Sequence, residues 1–213
     1  MRIPKKENIE KTNPEDPSKR YYQPFVRHIY IKRLKIALNL LLENKKNKFD
    51  KILEIGYGSG IFFPELSKNC DKLYGLEIFD EEGKQKVISM MQKENIKAEL
   101  ATGSVLKIPY PNNFFDAVVC ISAIEHLNPR ELIYAILEIK RTAKENAPII
   151  IGFPSGRKIM QFYCMAVNLT WNFHFHRSDH KKILKEIRNN LKIEKEKKFF
   201  KTLPVYYVIK CYK

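Results

Sequence analysis

The chain has 213 residues, 44% hydrophobic and 30% charged, and its 39 Lys and Arg against 24 Asp and Glu leave a net charge of +15. This length and apolar content suit one domain with a full-sized core. No apolar run approaches the roughly 20 residues that span a bilayer, and the amino-terminal stretch MRIPKKENIEKTNPEDPSKR lacks the apolar centre of a secretory signal. Cys70, Cys120, Cys164 and Cys211 are scattered, with no CxxC pair and no zinc spacing, which reads as a reduced, cytoplasmic protein.

The positive charge suits nucleic acid, an anionic membrane surface or an acidic substrate. A lysine-rich solvated surface explains it better. The lysines are spread along the chain and often stand beside glutamates, as in KEIRNNLKIEKEKK, and no RNP-like aromatic motif or zinc knuckle accompanies them.

Residues 1–20 hold charges, three prolines and no apolar periodicity, which predicts a flexible tail ahead of a single domain over 21–213. Over 21–45, Phe25, Ile29, Leu34, Ala37, Leu38 and Leu41 recur with helical spacing between Arg27, Lys32, Arg33 and Lys35. This predicts a cover helix, with Tyr21 and Tyr22 at its entrance placed to fold over a ligand. The stretch KILEIGYGSGIFFPEL, 51–66, then runs from an apolar strand carrying Glu54 into Gly56, Gly58 and Gly60, and on into an amphipathic segment. Strand, glycine turn and helix form the cradle that an α/β sheet offers a nucleotide-like ligand.

A second strand over 72–80 has Glu77 at its end, and a helix follows from about 80. A third strand over 97–104 ends in Gly103 and Ser104, and KIPYPNNF is a loop. A fourth strand, 115–122, is almost wholly apolar, as a parallel strand covered on both faces should be. Pro129 stands at the start of a helix over 129–144, and 147–156 is a fifth strand. The aromatic segment 157–177 is expected as a lid, Ser178 as the N-cap of a helix ending near Asn190, and the last two strands as an antiparallel hairpin. The alternation predicts a doubly wound parallel sheet.

A nicotinamide site wants G-x-G-x-x-G, but Ile61 stands at the third glycine and Gly60 comes one residue early. Glu54-Ile55-Gly56-Tyr57-Gly58-Ser59-Gly60 instead resembles motif I of the class I S-adenosylmethionine-dependent methyltransferases. Glu77 matches that family's ribose-binding acid, and a carboxylate offers two acceptor oxygens to a vicinal diol. Gly103-Ser104 with IPYPNNFFDAVVC, and ISAIEHLNP after it, resemble the family's next two segments.

The resemblance covers about 50–153 and is closest to the type 11 branch, which includes ubiquinone-type O-methyltransferases. It implies an α/β, Rossmann-like, doubly wound sheet of seven strands, parallel except for one antiparallel strand of the C-terminal hairpin. S-adenosyl-L-methionine is the implied cofactor, held by Glu54, Gly56, Tyr57, Gly58, Gly60, Glu77, Ile78, Ser104, Val105, Cys120 and Ile121. Ser104 replaces the usual adenine-binding Asp, and a hydroxyl accepts that bond more weakly. The metal-holding Glu-x-x-Glu-His of ubiquinone-type enzymes appears here as Ser122-Ala123-Ile124-Glu125-His126, one carboxylate short, so no metal is expected.

Each of these residues has a plainer role to weigh. The glycines could be tight turns alone, Glu54 structural, and Cys120 a small core residue inside an apolar strand. His126 is the candidate general base, because imidazole titrates near neutral pH; its alternative is to cap or pack under the next helix. His174, His176 and His180 have no carboxylate placed to complete a metal set except Asp179. The acceptor implied is a small or lipid-like molecule. An RNA or protein acceptor is disfavoured, since the fourth strand ends in CISA rather than Asn/Asp-Pro-Pro-Tyr. A non-catalytic, cofactor-binding regulatory domain is the third reading.

Overall fold

The computed structural model describes residues 1–14, 16–24, 26–78, 81–155, 176–200 and 204–213. The expected lid, 157–177, falls almost wholly outside them. Seven strands form: β1 (Phe49–Ile55), β2 (Cys70–Glu77), β3 (Glu99–Thr102), β4 (Ala117–Ile121), β5 (Ile149–Pro154), β6 (Lys192–Phe199) and β7 (Tyr206–Tyr212). They hydrogen-bond in the order β3-β2-β1-β4-β5-β7-β6. The first five are parallel and β7 lies antiparallel to both β5 and β6, so the expected seven-stranded architecture is present.

Strand periodicity divides the core. In β1, Ile52 faces one apolar layer and Leu53 the other, and in β4 Val119 and Cys120 part in the same way. One layer is closed by α1 (Val26–Leu42), α2 (Phe63–Leu66) and α3 (Glu81–Glu94). The other is closed by α4 (Pro129–Thr142) and α5 (His180–Asn190). Among the described residues, no helix is long and apolar enough to cross a membrane.

Four local features depart from or sharpen the sequence expectations. The segment after the glycine turn forms only the single turn of α2, because Phe62, Phe63 and Leu66 are all buried and plug the core. Asp179, not Ser178, caps α5 by accepting the Lys182 N–H at 2.9 Å. The Ser178 hydroxyl instead donates to the Leu127 carbonyl at 2.8 Å. α4 starts where Pro129 predicted, held by a capping box in which Asn128 and Glu131 satisfy each other's backbone N–H groups.

The fourth feature is the amino terminus, expected to be loose. Buried Glu94 accepts from the Arg2 guanidinium at 2.8 Å, and from the Lys5 N–H and the Asn8 amide at 2.7 Å each. Buried Asp16 accepts from the Thr12 and Ser18 N–H groups and from the Ser59 hydroxyl at 2.7 Å. These contacts lay the segment along α3 and the glycine loop. Buried carboxylates demand donors, a need that apolar periodicity does not register.

β6 accounts for part of the positive charge. It is a sheet edge, and Lys192, Lys197 and Lys198 stand exposed along it. Lysines on an edge strand discourage pairing with another chain.

Candidate cofactor-binding and active site

The residues singled out from sequence gather at the carboxyl ends of β1, β2, β3 and β4. Gly56, Gly58 and Gly60 all have positive φ, at 72°, 53° and 70°, a region costly for side-chain-bearing residues. Their surroundings differ. A Cβ on Gly56 would lie 2.6 Å from the Ala123 Cβ, and one on Gly60 would lie 2.6 Å from the Met90 methyl. A Cβ on Gly58 would meet nothing within 4 Å. Gly56 and Gly60 therefore permit close packing, while Gly58 keeps open the face on which a ligand would lie.

This separation has a measurable consequence. Gly56→Ala adds a clash to an unfavourable φ and is expected to cost about 2–4 kcal/mol, seen as a large drop in Tm. Gly58→Ala meets only the φ cost, about 1 kcal/mol, and should melt close to the wild type.

Gly58 also ties the loop to β2. Its N–H donates to Glu77 Oε2 at 3.1 Å, and the Ile78 N–H donates to Oε1 at 2.9 Å. Burial raises the Glu77 pKa, while these two N–H groups and the nearby His126 pull the other way. Each carboxylate oxygen retains capacity for a further donor. The next side chain, Ile78, is 74% exposed and sets an apolar surface on the rim. Gly103 is held beside it, its N–H donating to the Glu77 carbonyl at 2.9 Å. The Ser104 hydroxyl accepts the Leu106 N–H at 3.2 Å, and Val105 packs against the core below.

Glu54, in the centre of the sheet between Gly75 and Val119, is only 5% exposed. Its Oε2 has no hydrogen-bond partner among the described residues. Burial, with a lesser contribution from Glu77, holds its pKa well above the usual carboxylate range. An orphaned buried acceptor at the mouth of a glycine loop fits a cationic group of a ligand.

Tyr57 is buried beside Glu77, and burial first and Glu77 second raise its pKa. Its ring packs 5.4 Å from Phe63, over the bare Cα of Gly75. The Cys120 thiol is fully buried and its pKa is driven upward by that burial, which suits a core residue and not a nucleophile. Ile121 ends β4, and Ser122 after it takes a positive φ of 58°.

His126 is exposed, in a short 3-10 turn after β4, with its ring 5.4 Å from that of His176 and nearly perpendicular to it. Glu125 beneath them is 2% exposed, and its Oε2 lacks a partner among the described residues. Ligand atoms of Glu125, His126 and His176 all lie within 4.8 Å of one another. Ser122 had removed a carboxylate from the metal pattern, and His176 comes to the same place from beyond β5. That juxtaposition is invisible to local spacing. Sequence reasoning also passed over Arg33, whose Nη1 donates to the Ser122 hydroxyl at 2.9 Å.

A family model described as a methyltransferase domain matches residues 53–151. Over this segment, a little under half of the chain, the sequence is similar to that family. The likeness in fold extends further than the sequence match. A Pyrococcus horikoshii protein superposes with a TM-score of 0.74 at 19% identity, covering 92% of this chain and 95% of that one. The N-methyltransferase NodS of Bradyrhizobium japonicum, in complex with S-adenosyl-L-homocysteine, superposes with a TM-score of 0.70 at 14% identity, covering 95% and 94%. Norajmaline N-methyltransferase of Rauvolfia serpentina is 29% identical over 153 residues, 71% of this chain and 48% of that protein. The chain spans less than half the length of the curated relatives it matches.

Proposed function

We propose that this methyltransferase domain binds S-adenosylmethionine and moves its methyl group to a small or lipid-like acceptor by in-line displacement. The observation that carries the proposal is the paired carboxylate arrangement: Glu77, fixed by the Gly58 and Ile78 N–H groups, and Glu54, buried with an unpaired oxygen. S-adenosylmethionine brings a methyl group already activated on a cationic sulfonium. The chain has then to bind, align and exclude water, which together contribute up to about 7–11 kcal/mol to such a step.

Glu77 accepts from the two ribose hydroxyls, and Glu54 takes the ammonium of the methionine end. Ile78 and Val105 flank the adenine. The Ser104 hydroxyl reaches the adenine amino group weakly, since it already accepts from Leu106. The backbone of Cys120 and Ile121 passes the methionine moiety. His126, exposed on the rim, takes the acceptor's proton. If chelation abolishes transfer, Glu125, His126 and His176 hold a divalent cation instead.

A small-molecule acceptor is supported by norajmaline N-methyltransferase, which names one. Because that relative and NodS both act on nitrogen by name, amines belong beside phenols in any acceptor screen. The exposed lysines of the β6 edge give the positive charge a role that needs no nucleic acid.

Calorimetry with S-adenosylmethionine and S-adenosylhomocysteine tests the core of this reading. Both should bind the wild type, with Gly58→Ala at least about 10-fold weaker for lack of room over the loop. Failure of either to bind the wild type overturns it. RNA gel shifts with a steep salt dependence would transfer the function to nucleic acid. Firm cofactor binding without methyl transfer to any fraction of a small-molecule extract would favour the regulatory role.

A further inference from the structure

We propose that Arg33 anchors a carboxylate in the methyl-transfer cleft; this rests on the cofactor reading above. Arg33 projects from α1 and is 8% exposed. Its Nη1 donates to the Ser122 hydroxyl at 2.9 Å and its Nη2 to the Tyr21 hydroxyl at 2.8 Å. The Tyr30, Tyr206 and Tyr21 rings surround the guanidinium, at 4.5, 5.5 and 5.6 Å from its carbon. Tyr206 and Ser122 share a hydrogen bond of 2.6 Å.

What the cluster lacks is an anion. Among the described residues Arg33 makes no ion pair, and its Nε has no hydrogen-bond partner. Glu125 is near enough to feel its charge, yet no bond joins them. Stapling α1 to the sheet would not require a charge here, because a buried guanidinium without a counter-ion carries a desolvation cost that an apolar or amide side chain avoids. The rings offset part of that cost through cation–π attraction. They do not neutralise the charge. The Tyr21 hydroxyl, which accepts from Arg33, and one hydroxyl of the Ser122–Tyr206 pair keep an O–H that can donate alongside the guanidinium.

Position supplies the ligand. Ser122 directly follows Cys120 and Ile121, and its neighbour Ala123 is the residue on which the bare Cα of Gly56 packs. Arg33 therefore reaches the β4 end of the cleft, while Glu77 closes the β2 end. An anion at the β4 end has two sources of one chemistry: the methionine carboxylate of the donor, or a carboxylate carried by the acceptor.

Titration calorimetry on the full chain separates them. The probes are S-adenosylhomocysteine and its decarboxylated analogue, which keeps the amine and loses only the carboxylate. If the donor is the source, the wild type binds the analogue about 10- to 100-fold more weakly. Arg33→Met then binds both probes equally, and Arg33→Lys recovers part of the difference. If the acceptor is the source, the wild type treats both probes alike. Aromatic and aliphatic carboxylates then raise the Tm of the S-adenosylhomocysteine complex in the wild type and not in Arg33→Met.

The comparison within the wild type stands even if Arg33→Met fails to fold. Tyr21→Phe, which removes one hydroxyl, should then shrink whichever difference is seen. Indifference of the wild type to the donor carboxylate and to every added carboxylate overturns the assignment alone. Absence of S-adenosylhomocysteine binding overturns the assignment together with the cofactor reading.

Discussion

Glu77→Ala is expected to weaken S-adenosylhomocysteine binding by at least about 100-fold, because two charge-assisted hydrogen bonds to a diol are worth about 1.5–3 kcal/mol each. The loss should not be a loss of folding. Each Glu77 oxygen already accepts one backbone N–H, from Gly58 and Ile78, so both proposed hydroxyl bonds would use the remaining acceptor capacity. Burial raises the pKa of this carboxyl, so the folded state disfavours its ionised form, and its removal is expected to leave the unliganded protein close to wild-type stability. Glu77→Gln, with one carbonyl acceptor, should fall between the two. Calorimetry with thermal melts of the same samples checks the prediction. Unchanged affinity in Glu77→Ala would remove Glu77 from the site.

The second large effect is a proton linkage at Glu54. Its pKa is raised above the unfolded value of 4.5, first by burial and then by Glu77. As pH rises through 4.5, the unfolded chain loses this proton before the folded chain does. The folded state then binds more protons, so the unliganded protein loses stability from about pH 4.5 up to the raised value. A ligand ammonium beside the carboxylate reverses the preference and expels the proton. Affinity for S-adenosylhomocysteine should therefore increase with pH across the same window, with proton release measurable by calorimetry in buffers of different ionisation enthalpy. Glu54→Gln should release no proton, lose this pH dependence and bind about 10- to 100-fold more weakly. Equal proton release in Glu54→Gln would place the linkage elsewhere.

The two carboxylates show why so much of this site could be read without coordinates. Glu54 and Glu77 each end a parallel strand next to the glycine turn, and adjacent parallel strands bring their carboxyl ends to one edge. The same holds for Ser104 after β3 and for Ile121 at the end of β4. Tyr57 lies in the same motif and could not be resolved this way. Whether its ring rises toward a ligand or sinks onto Phe63 depends on the space left by Gly75 in the neighbouring strand.

Arg33 and His176 mark the other limit. Arg33 looked like one more cation on the polar side of an amphipathic helix, yet it is buried against Ser122, 89 residues away. His176 is beside His126 only because the chain returns to that place after β5. Glu94 and Asp16 likewise gain their donors from an amino-terminal segment that composition alone assigned to solvent.

The sequence by itself determined the strand order's raw material, the glycine turn, its two carboxylates and hence the kind of ligand, because those signals lie within a few residues of one another or at strand ends. Only the tertiary structure decided which of three glycines is left with open space above it, and which charge is buried without an ion-pair partner among the described residues. Both depend on what packs above a residue, and packing partners come from anywhere in the chain.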